Sequence, residues 1–558
     1  MSGDPRAPDG EGAETDGGAG ARADDPGADG WQRRHATDHY GWVGAWSERR
    51  AALTPDRVGL VDRTTGERYT YADLDARANR AARLLRRRGV ERGDRVAVIS
   101  RNRPALVDLF FATAKTGAVL APLSHRLAPP ELDEMLEDVD PALLVVEEPF
   151  DDLTAEVCAV DESGCAPVLS LATDGDHVWT AYDEALPADD SPVERADLSM
   201  NDPHLFLHTG GSTGTPKEVV IPHGSILWNS TNTITAWGLR EDDVTPMVFP
   251  MFHTGGWNVI TVPLFHVGGT VVLAREFDPE GILQTVDEED ATVLVAVPAM
   301  LRMMVQGDEW ESTDLSTLRF AKSGGGPARE SVMRAWWDRG VDLSQGYGLT
   351  ECGPNNFAMP NDWPREKADS IGKPAPHVDA RIVDEDGDPV EQGEIGELEL
   401  SGPHAAVGYW RNAEETVDTF GSGWVSTGDL ARVDEDGYYY VEGRKKNMFV
   451  SGGENVYPPE VEDAIADHPA VEEVIVVPVD DEQWGQVGKA VVERAEPRSA
   501  EGASEDDLTV EELRDFLDDR LARFKHPRHL AFVDEMPTSG PSKIDRQAVE
   551  EWFGESAE

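Results

Sequence analysis

The stretch HTGGSTGTPKEVV, residues 208–220, decides how this chain is read. Gly210, Gly211 and Gly214 free the backbone for positive φ and for close approach to a ligand. Thr209, Ser212 and Thr213 offer hydroxyls, and Lys217 offers a charge. Backbone N–H groups in such a turn can point into one concavity and cradle phosphate. The bland alternative is a solvated hairpin loop. A Walker loop is excluded, because that motif needs Gly-Lys-Ser/Thr opening a helix. Here Lys217 follows Pro216 and precedes Glu218, and the β-branched EVVIP that follows reads as a strand. The loop therefore runs from strand to strand.

Outward from the loop, the flanks read as α/β. TYADLDARANRAARLLRRRG, residues 70–89, carries Leu74, Ala78, Ala81, Leu84 and Leu85 at helical spacing and stops at Gly89. DRVAVIS (94–100) is a buried-type strand, RPALVDLFFATAKTG (103–117) a helix, and AVLAPL the next strand. The alternation continues through ALLVVE (142–147) and TVLVAVP (292–298), which predicts parallel sheet. From about residue 378, short strands punctuated by Asp-Gly turns predict a β-rich subdomain. After GRKKN (443–447) a smaller α+β unit follows, with a helix at 458–467, a strand at 472–479 and a helix at 509–523. The expected organisation is an acidic disordered tail over 1–35, a large α/β N-terminal domain over 36–445 and a small mobile α+β C-terminal domain over 446–558. The acidic stretch 496–507 reads as a solvated loop.

The chain of 558 residues has a formal net charge of −57, from 107 Asp+Glu against 50 Lys+Arg. Only ten of the positive charges are lysines. The acid is spread along the whole chain, a pattern that fits adaptation to high salt, where screening tolerates self-repulsion. Folding and activity are expected to strengthen in molar KCl. Nucleic-acid or anionic-membrane binding through a broad basic face is not expected. Cys158, Cys165 and Cys352 give neither a disulfide framework nor a zinc cluster, so a reducing cytoplasm is expected. No apolar stretch is long enough to span a bilayer, and the N-terminus lacks the basic start and apolar core expected of a signal peptide.

Several motifs, taken in order over about residues 40 to 550, resemble the adenylate-forming superfamily: acyl-CoA synthetases, adenylation domains and luciferases. The loop from Thr209 to Glu218 resembles that family's Thr-Ser-Gly-Thr-Thr-Gly-x-Pro-Lys-Gly, with Gly210 in place of Ser and Glu218 in place of Gly, an acid beside Lys217. SQGYGLTEC (344–352) resembles its Tyr-Gly-x-Thr-Glu. SGGGP (323–327) resembles the segment lining the adenine, and GWVSTGDLARVDEDGYYYVEGRKKN (423–447) a long family block. EMPTSGPSKIDRQAV (535–549) resembles the terminal Pro-x-x-x-x-Gly-Lys-Ile-x-Arg, with Ser542 for Gly.

The resemblance implies that the loop wraps the leaving phosphates of ATP. It implies that Gly324, Gly325, Gly326, Gln345, Gly346, Tyr347 and Gly348 line the nucleotide, that Thr350 contacts the α-phosphate and that Glu351 holds Mg²⁺. Asp429 then grips the ribose hydroxyls, Arg444 contacts the nucleotide, Lys446 is the hinge and Lys543 is the catalytic lysine. SGGENVYPPEVE (451–462) resembles the CoA-ligase form of the pantetheine path, with Gly452 and Gly453 leaving room for the arm. The acyl pocket is expected around PMFHTGGWN (250–258): His253 as gate or as packed core residue, Trp257 and Asn355 shaping the tunnel, with Asn356 and Phe357 beside them. The implied reaction is AMP-forming: a small-molecule carboxylic acid, ATP and CoA give a thioester. The reading leans to a medium- or long-chain fatty acid. An aryl or other small acid, and a stand-alone enzyme loading a carrier protein, are the alternatives. A homodimer stays open.

Overall fold

A computed structural model describes residues 39–160, 166–171, 179–209, 217–451, 454–481, 484–494, 508–518, 520–538 and 544–554. The expected acidic tail, the centre of the Gly-rich loop, Gly452, Gly453, the 496–507 stretch and Lys543 lie outside the described residues.

The periodic stretch after Thr70 forms the helix Tyr71–Arg87, opened by a capping box in which Thr70 and Asp73 satisfy each other's backbone N–H groups. The apolar run after Arg103 forms the helix Pro104–Thr116, closed by Gly117 at φ 78°. That helix is buried on every side, so its one lysine must be satisfied inside. Lys115 Nζ lies 2.6 Å from Asp75 Oδ1 and donates to Asn79 Oδ1 at 2.8 Å, both on the neighbouring helix. A buried charge is tolerated because it is paired and hydrogen-bonded.

Strands Arg95–Ile99, Val119–Leu123, Leu143–Glu147 and Val168–Leu171 pair in parallel at the centre of an eight-stranded sheet. The sheet is mixed, however. Strand Pro203–Thr209 turns back into Lys217–Pro222, and the two-residue strand Gly408–Tyr409 adds antiparallel at that edge. A second sheet joins Val58–Asp62, Arg68–Thr70, Val244–Met247 and Thr270–Leu273, and a third, parallel, joins Val293–Ala296, Phe320–Ser323 and Leu343–Gln345. The β-rich region is a four-stranded antiparallel sheet of Asp379–Val383, Gly396–Ser401, Val425–Val433 and Tyr439–Arg444.

Past the single turn Lys445–Asn447, a five-stranded sheet carries the helices Pro458–Ala466, Val510–Leu517 and Arg546–Phe553. The helix expected over 509–523 thus ends at Leu517, and a short turn, Arg523–Lys525, follows. This unit meets the rest of the chain through ions. Arg302 and Arg329 both reach Glu473, the latter at 3.0 Å, and Arg329 donates to the Glu472 carbonyl at 2.9 Å. Cys158 is disulfide-bonded, which corrects the expectation from the cysteine count, while Cys352 is free and buried. No helix among the described residues is long and apolar enough to cross a membrane.

Candidate active site

The Gly-rich loop is slung between two paired strand ends, with Thr209 opposite Lys217. Lys217 Nζ lies 2.7 Å from Glu415 Oε1 and 5.6 Å from the centroid of the Tyr409 ring. Glu218 is not beside it. Successive side chains of a strand point to opposite faces, so Glu218 turns inward with Val220 and is buried. Its Oε1 has no hydrogen-bond partner, and burial, aided by Asp138, pushes the carboxyl up to about 8. The acid expected beside Lys217 is therefore a buried neutral carboxyl at neutral pH. Burial likewise pushes His208, opposite Glu218, down to about 4.

The 344–352 segment packs against the β-rich sheet. Tyr347 donates its hydroxyl to Asp429 Oδ2, and Arg444 Nε meets Asp429 Oδ1 at 2.8 Å across the strand pair. Arg444 also donates to the Thr427 carbonyl at 3.1 Å. Burial and the Asp429 carboxylate hold the Tyr347 phenol protonated well above its ordinary range. Gly348 passes so close to Pro354 that a Cβ would meet its carbonyl carbon at 2.1 Å. Thr350 and Glu351 sit on a single helical turn, Thr350–Cys352. Glu351 Oε1 accepts from the Tyr409 hydroxyl at 2.8 Å, and its carbonyl accepts from Ala406 N at 2.7 Å.

Gly324 and Gly326 face open space, where a Cβ would meet nothing within 4 Å. Such a bare shelf can take a flat base. Gln345 lies behind it, and both ends of its amide are used inside the protein: it accepts from Ala328 N at 3.0 Å and donates to the Ala368 carbonyl at 2.8 Å. Gly346 N is bonded to the Ser323 carbonyl at 2.7 Å. Gln345 and Gly346 thus brace the shelf rather than reach across it.

On the other side of Glu351, the chain is built from buried amides. Asn355 donates to Thr233 Oγ1 at 2.7 Å and to the Val259 carbonyl at 2.8 Å. Asn229 donates to the Asn258 carbonyl at 2.6 Å. Asn258 Oδ1, Asn356 Oδ1, Asn232 Nδ2 and Thr261 Oγ1 are buried with no hydrogen-bond partner. Trp257 is wholly buried in a π-helical segment, Gly255–Val259, stacked on Phe110 at 4.8 Å with its Nε1 donating to the Met251 carbonyl at 2.6 Å. The glycines before it are closely packed: a Cβ on Gly255 would meet the Phe249 ring at 2.9 Å, and one on Gly256 would meet Met251 Cα at 2.6 Å. His253 is exposed, not packed in the core, with its ring 4.4 Å from that of Phe252 and 5.6 Å from that of His208.

Lys446 lies in the turn Lys445–Asn447 between the two units, its ammonium pushed down by burial and by Arg444. Two features had no signal in the sequence. One is the Tyr409–Glu415 pair around Lys217, some 190 residues away in the chain. The other is a cavity of about 340 Å³ lined by Arg101, His125, Arg126 and Arg275 among others. There Arg101 and Arg275 each reach Glu147 Oε1 at 3.1 Å, while Arg126 stands over the Phe252 ring at 5.6 Å. Such a cluster of arginines is out of character for a chain so acidic.

The family described as AMP-binding enzyme matches residues 47–410, and the AMP-binding enzyme C-terminal domain matches residues 460–543. The chain is 36% identical over 512 residues to a feruloyl-CoA synthase of Amycolatopsis sp., covering 92% of this chain and 99% of that one. It is 32% identical over 524 residues to the long-chain-fatty-acid–CoA ligase FadD13 of Mycobacterium tuberculosis, covering 92% and 98%. Among solved structures it resembles ATP-bound MatB from Rhodopseudomonas palustris, with a TM-score of 0.82 and 31% identity over 92% of this chain and 99% of that one.

Proposed function

The chain belongs to the AMP-binding enzymes and is an acid–CoA ligase of the adenylate-forming superfamily, and on that premise we propose that its acid is an aryl or arylalkyl carboxylic acid. The observation that carries this reading is the packing at Gly255, Gly256 and Trp257. The space an aliphatic tail would need beside the two glycines is filled by Phe249 and Met251, and Trp257 is pinned by stacking and a hydrogen bond. A compact ring with polar substituents also suits a wall of buried amides better than a bare hydrocarbon does, since unpaired buried polar groups are costly unless a ligand completes them. The 36% identity to a feruloyl-CoA synthase supports the same choice. A fatty acid is the second reading, supported by the 32% identical FadD13.

In the first half-reaction the carboxylate attacks the α-phosphorus of ATP, and pyrophosphate leaves with the bond electrons. Lys217 and the Gly-rich loop hold the leaving phosphates, Asp429 and Arg444 the ribose side, and the Gly324–Gly326 shelf the base. Lys543 bridges the carboxylate and the α-phosphate as negative charge crowds together. Glu351 suits a hard cation that is shared with phosphates, a donor set in which Mg²⁺ commonly takes one or two carboxylates. Mg²⁺ bound there with ATP supplies charge neutralisation on the phosphates. In the second half-reaction the C-terminal unit, 446–558, turns about Lys446, the CoA thiolate attacks the acyl carbonyl, and AMP leaves. Gly452 and Gly453 admit the pantetheine arm, and the arginine-lined cavity offers cationic partners for a thiol that carries phosphates.

The test is a ligation screen over benzoate, cinnamate, octanoate and palmitate with CoA. The aryl acids should exceed both aliphatic ones in kcat/KM by about tenfold or more. A preference for octanoate or palmitate would overturn the aryl assignment and leave the ligase assignment standing.

A further inference from the structure

Tyr409 belongs to none of the motifs that carry the family resemblance, yet it stands where two of them meet. Its hydroxyl donates to Glu351 Oε1 at 2.8 Å. Its ring face lies 5.6 Å from Lys217 Nζ. The first contact orients the carboxylate, and the second offers the lysine a π surface.

The residue is itself held from several directions. Gly408 and Tyr409 pair antiparallel with Val220 and Val219, next to Lys217 on the same strand. Tyr409 N donates to Thr416 Oγ1 at 2.9 Å, and its ring meets the edge of Phe420 at 5.6 Å. Ala406 N donates to the Glu351 carbonyl at 2.7 Å and Trp410 N to the Glu218 carbonyl at 2.8 Å. The segment 406–410 is thus bonded to both the Glu351 turn and the Lys217 strand. Neither can shift without moving Tyr409. Glu415, in the helix Ala413–Phe420 that supplies Thr416 and Phe420, closes the group by pairing with Lys217.

We propose that Tyr409 is a positioning residue: it fixes the metal-facing carboxylate of Glu351 in register with Lys217, so that the cation and the phosphates of ATP meet a preset pair of charges. This rests on the reading of Glu351 as the metal ligand. A carboxylate held by one hydrogen bond through one oxygen keeps a single rotamer, and the donor side chain bears no charge that would compete with the cation. Partners of this kind typically change metal affinity by about 10–100-fold when removed.

Tyr409→Phe removes the hydroxyl and keeps the ring against Phe420 and Lys217. With Mn²⁺ as the spectroscopic probe, an EPR titration of the enzyme–ATP complex should show cation retention weakened by about 10–100-fold. Pyrophosphate exchange should need correspondingly more Mg²⁺ and recover its maximal rate when Mg²⁺ is raised. Conversion of supplied acyl-AMP and CoA to thioester, which consumes no ATP, should be unchanged. Unchanged Mn²⁺ retention in Tyr409→Phe, with Glu351→Gln losing it, would overturn the role of Tyr409 alone. Unchanged retention in Glu351→Gln would overturn the metal reading on which it rests. Equal loss of both half-reactions with an unmoved Mg²⁺ curve would reduce Tyr409 to a packing residue and overturn the proposal as well.

Discussion

The two sides of Glu351 are built on different principles. Towards the nucleotide, charged groups already hold one another: Asp429 with Arg444 and Tyr347, Lys217 with Glu415, Glu351 with Tyr409. Towards the acid, the wall is made of amides, several with an unpartnered buried atom, and of an indole locked in place. Among the described residues the groups of the charged side are paired with one another and would exchange partners to bind a ligand. The amide side keeps unpartnered buried atoms, which in the proposed function the acid would complete. In the proposed function, the chemistry common to all substrates of such an enzyme would fall on the first side, and the discrimination between acids on the second.

The severest challenge to this contrast is Lys543→Ala. Removing the bridging ammonium should lower adenylation by about 10³-fold or more, the scale of losing a preorganised group aimed at developing charge. Thioester formation from supplied acyl-AMP should persist, measured as CoA-dependent AMP release. Equal loss of both would show that the charged side serves both half-reactions.

Glu218 is the exception on the charged side, because it pairs with nothing through Oε1. Burial, aided by Asp138, pushes its carboxyl up to about 8 from an ordinary 4.5. The folded state therefore holds a proton that the unfolded state releases, and stability falls as pH rises from about 4.5 to about 8. Glu218→Gln should abolish that fall and gain roughly 4 kcal/mol in denaturant melts at pH 8, with little change at pH 4. A wild-type-like pH profile in the variant would mean that the carboxyl is paired after all.

Much of the charged side is legible in the sequence through the family resemblance, whose motifs are short and contiguous. Tyr347, Gly348, Thr350 and Glu351 lie within one turn region, and the Asp429 to Arg444 interval is a single hairpin. The helix Tyr71–Arg87 and the stop at Gly117 are equally plain, since each depends on neighbours three or four residues away. Tyr409 is not legible, because its partner is 58 residues distant and nothing local marks it. Glu218 is readable but easily misread: adjacency in a strand means opposite faces, so the residue next to Lys217 is the one least able to touch it. The acyl wall resists reading for another reason. Nothing in the local residue pattern marks that Phe249 and Met251 pack against Gly255 and Gly256.

A smaller effect is expected at the ribose side. Asp429→Asn keeps the shape but removes the charge that Arg444 and the ribose hydroxyls share. KM for ATP should rise by about 10–100-fold, the worth of one hydrogen bond to a charged group, with little change in KM for the acid. A rise in both would blur the division between the two sides. Smallest is Trp257→Leu, which shortens the locked side chain. The ratio of kcat/KM for cinnamate over octanoate should fall by about tenfold, while ATP kinetics stay put. An unchanged ratio would place discrimination elsewhere, on the amides rather than the indole.

The pairing of Lys217 with Glu415 has a thermodynamic consequence for a chain with so much negative charge. A lone lysine gains its phosphate by shedding loosely held counter-ions, and its affinity collapses as the medium supplies more of them. In the proposed function Lys217 would instead trade the Glu415 carboxylate for a phosphate. Added electrolyte weakens the pair that is broken along with the pair that is formed, and the two losses offset. Nucleotide capture at this position becomes an ion exchange, whose equilibrium is buffered against the saltiness of the surroundings.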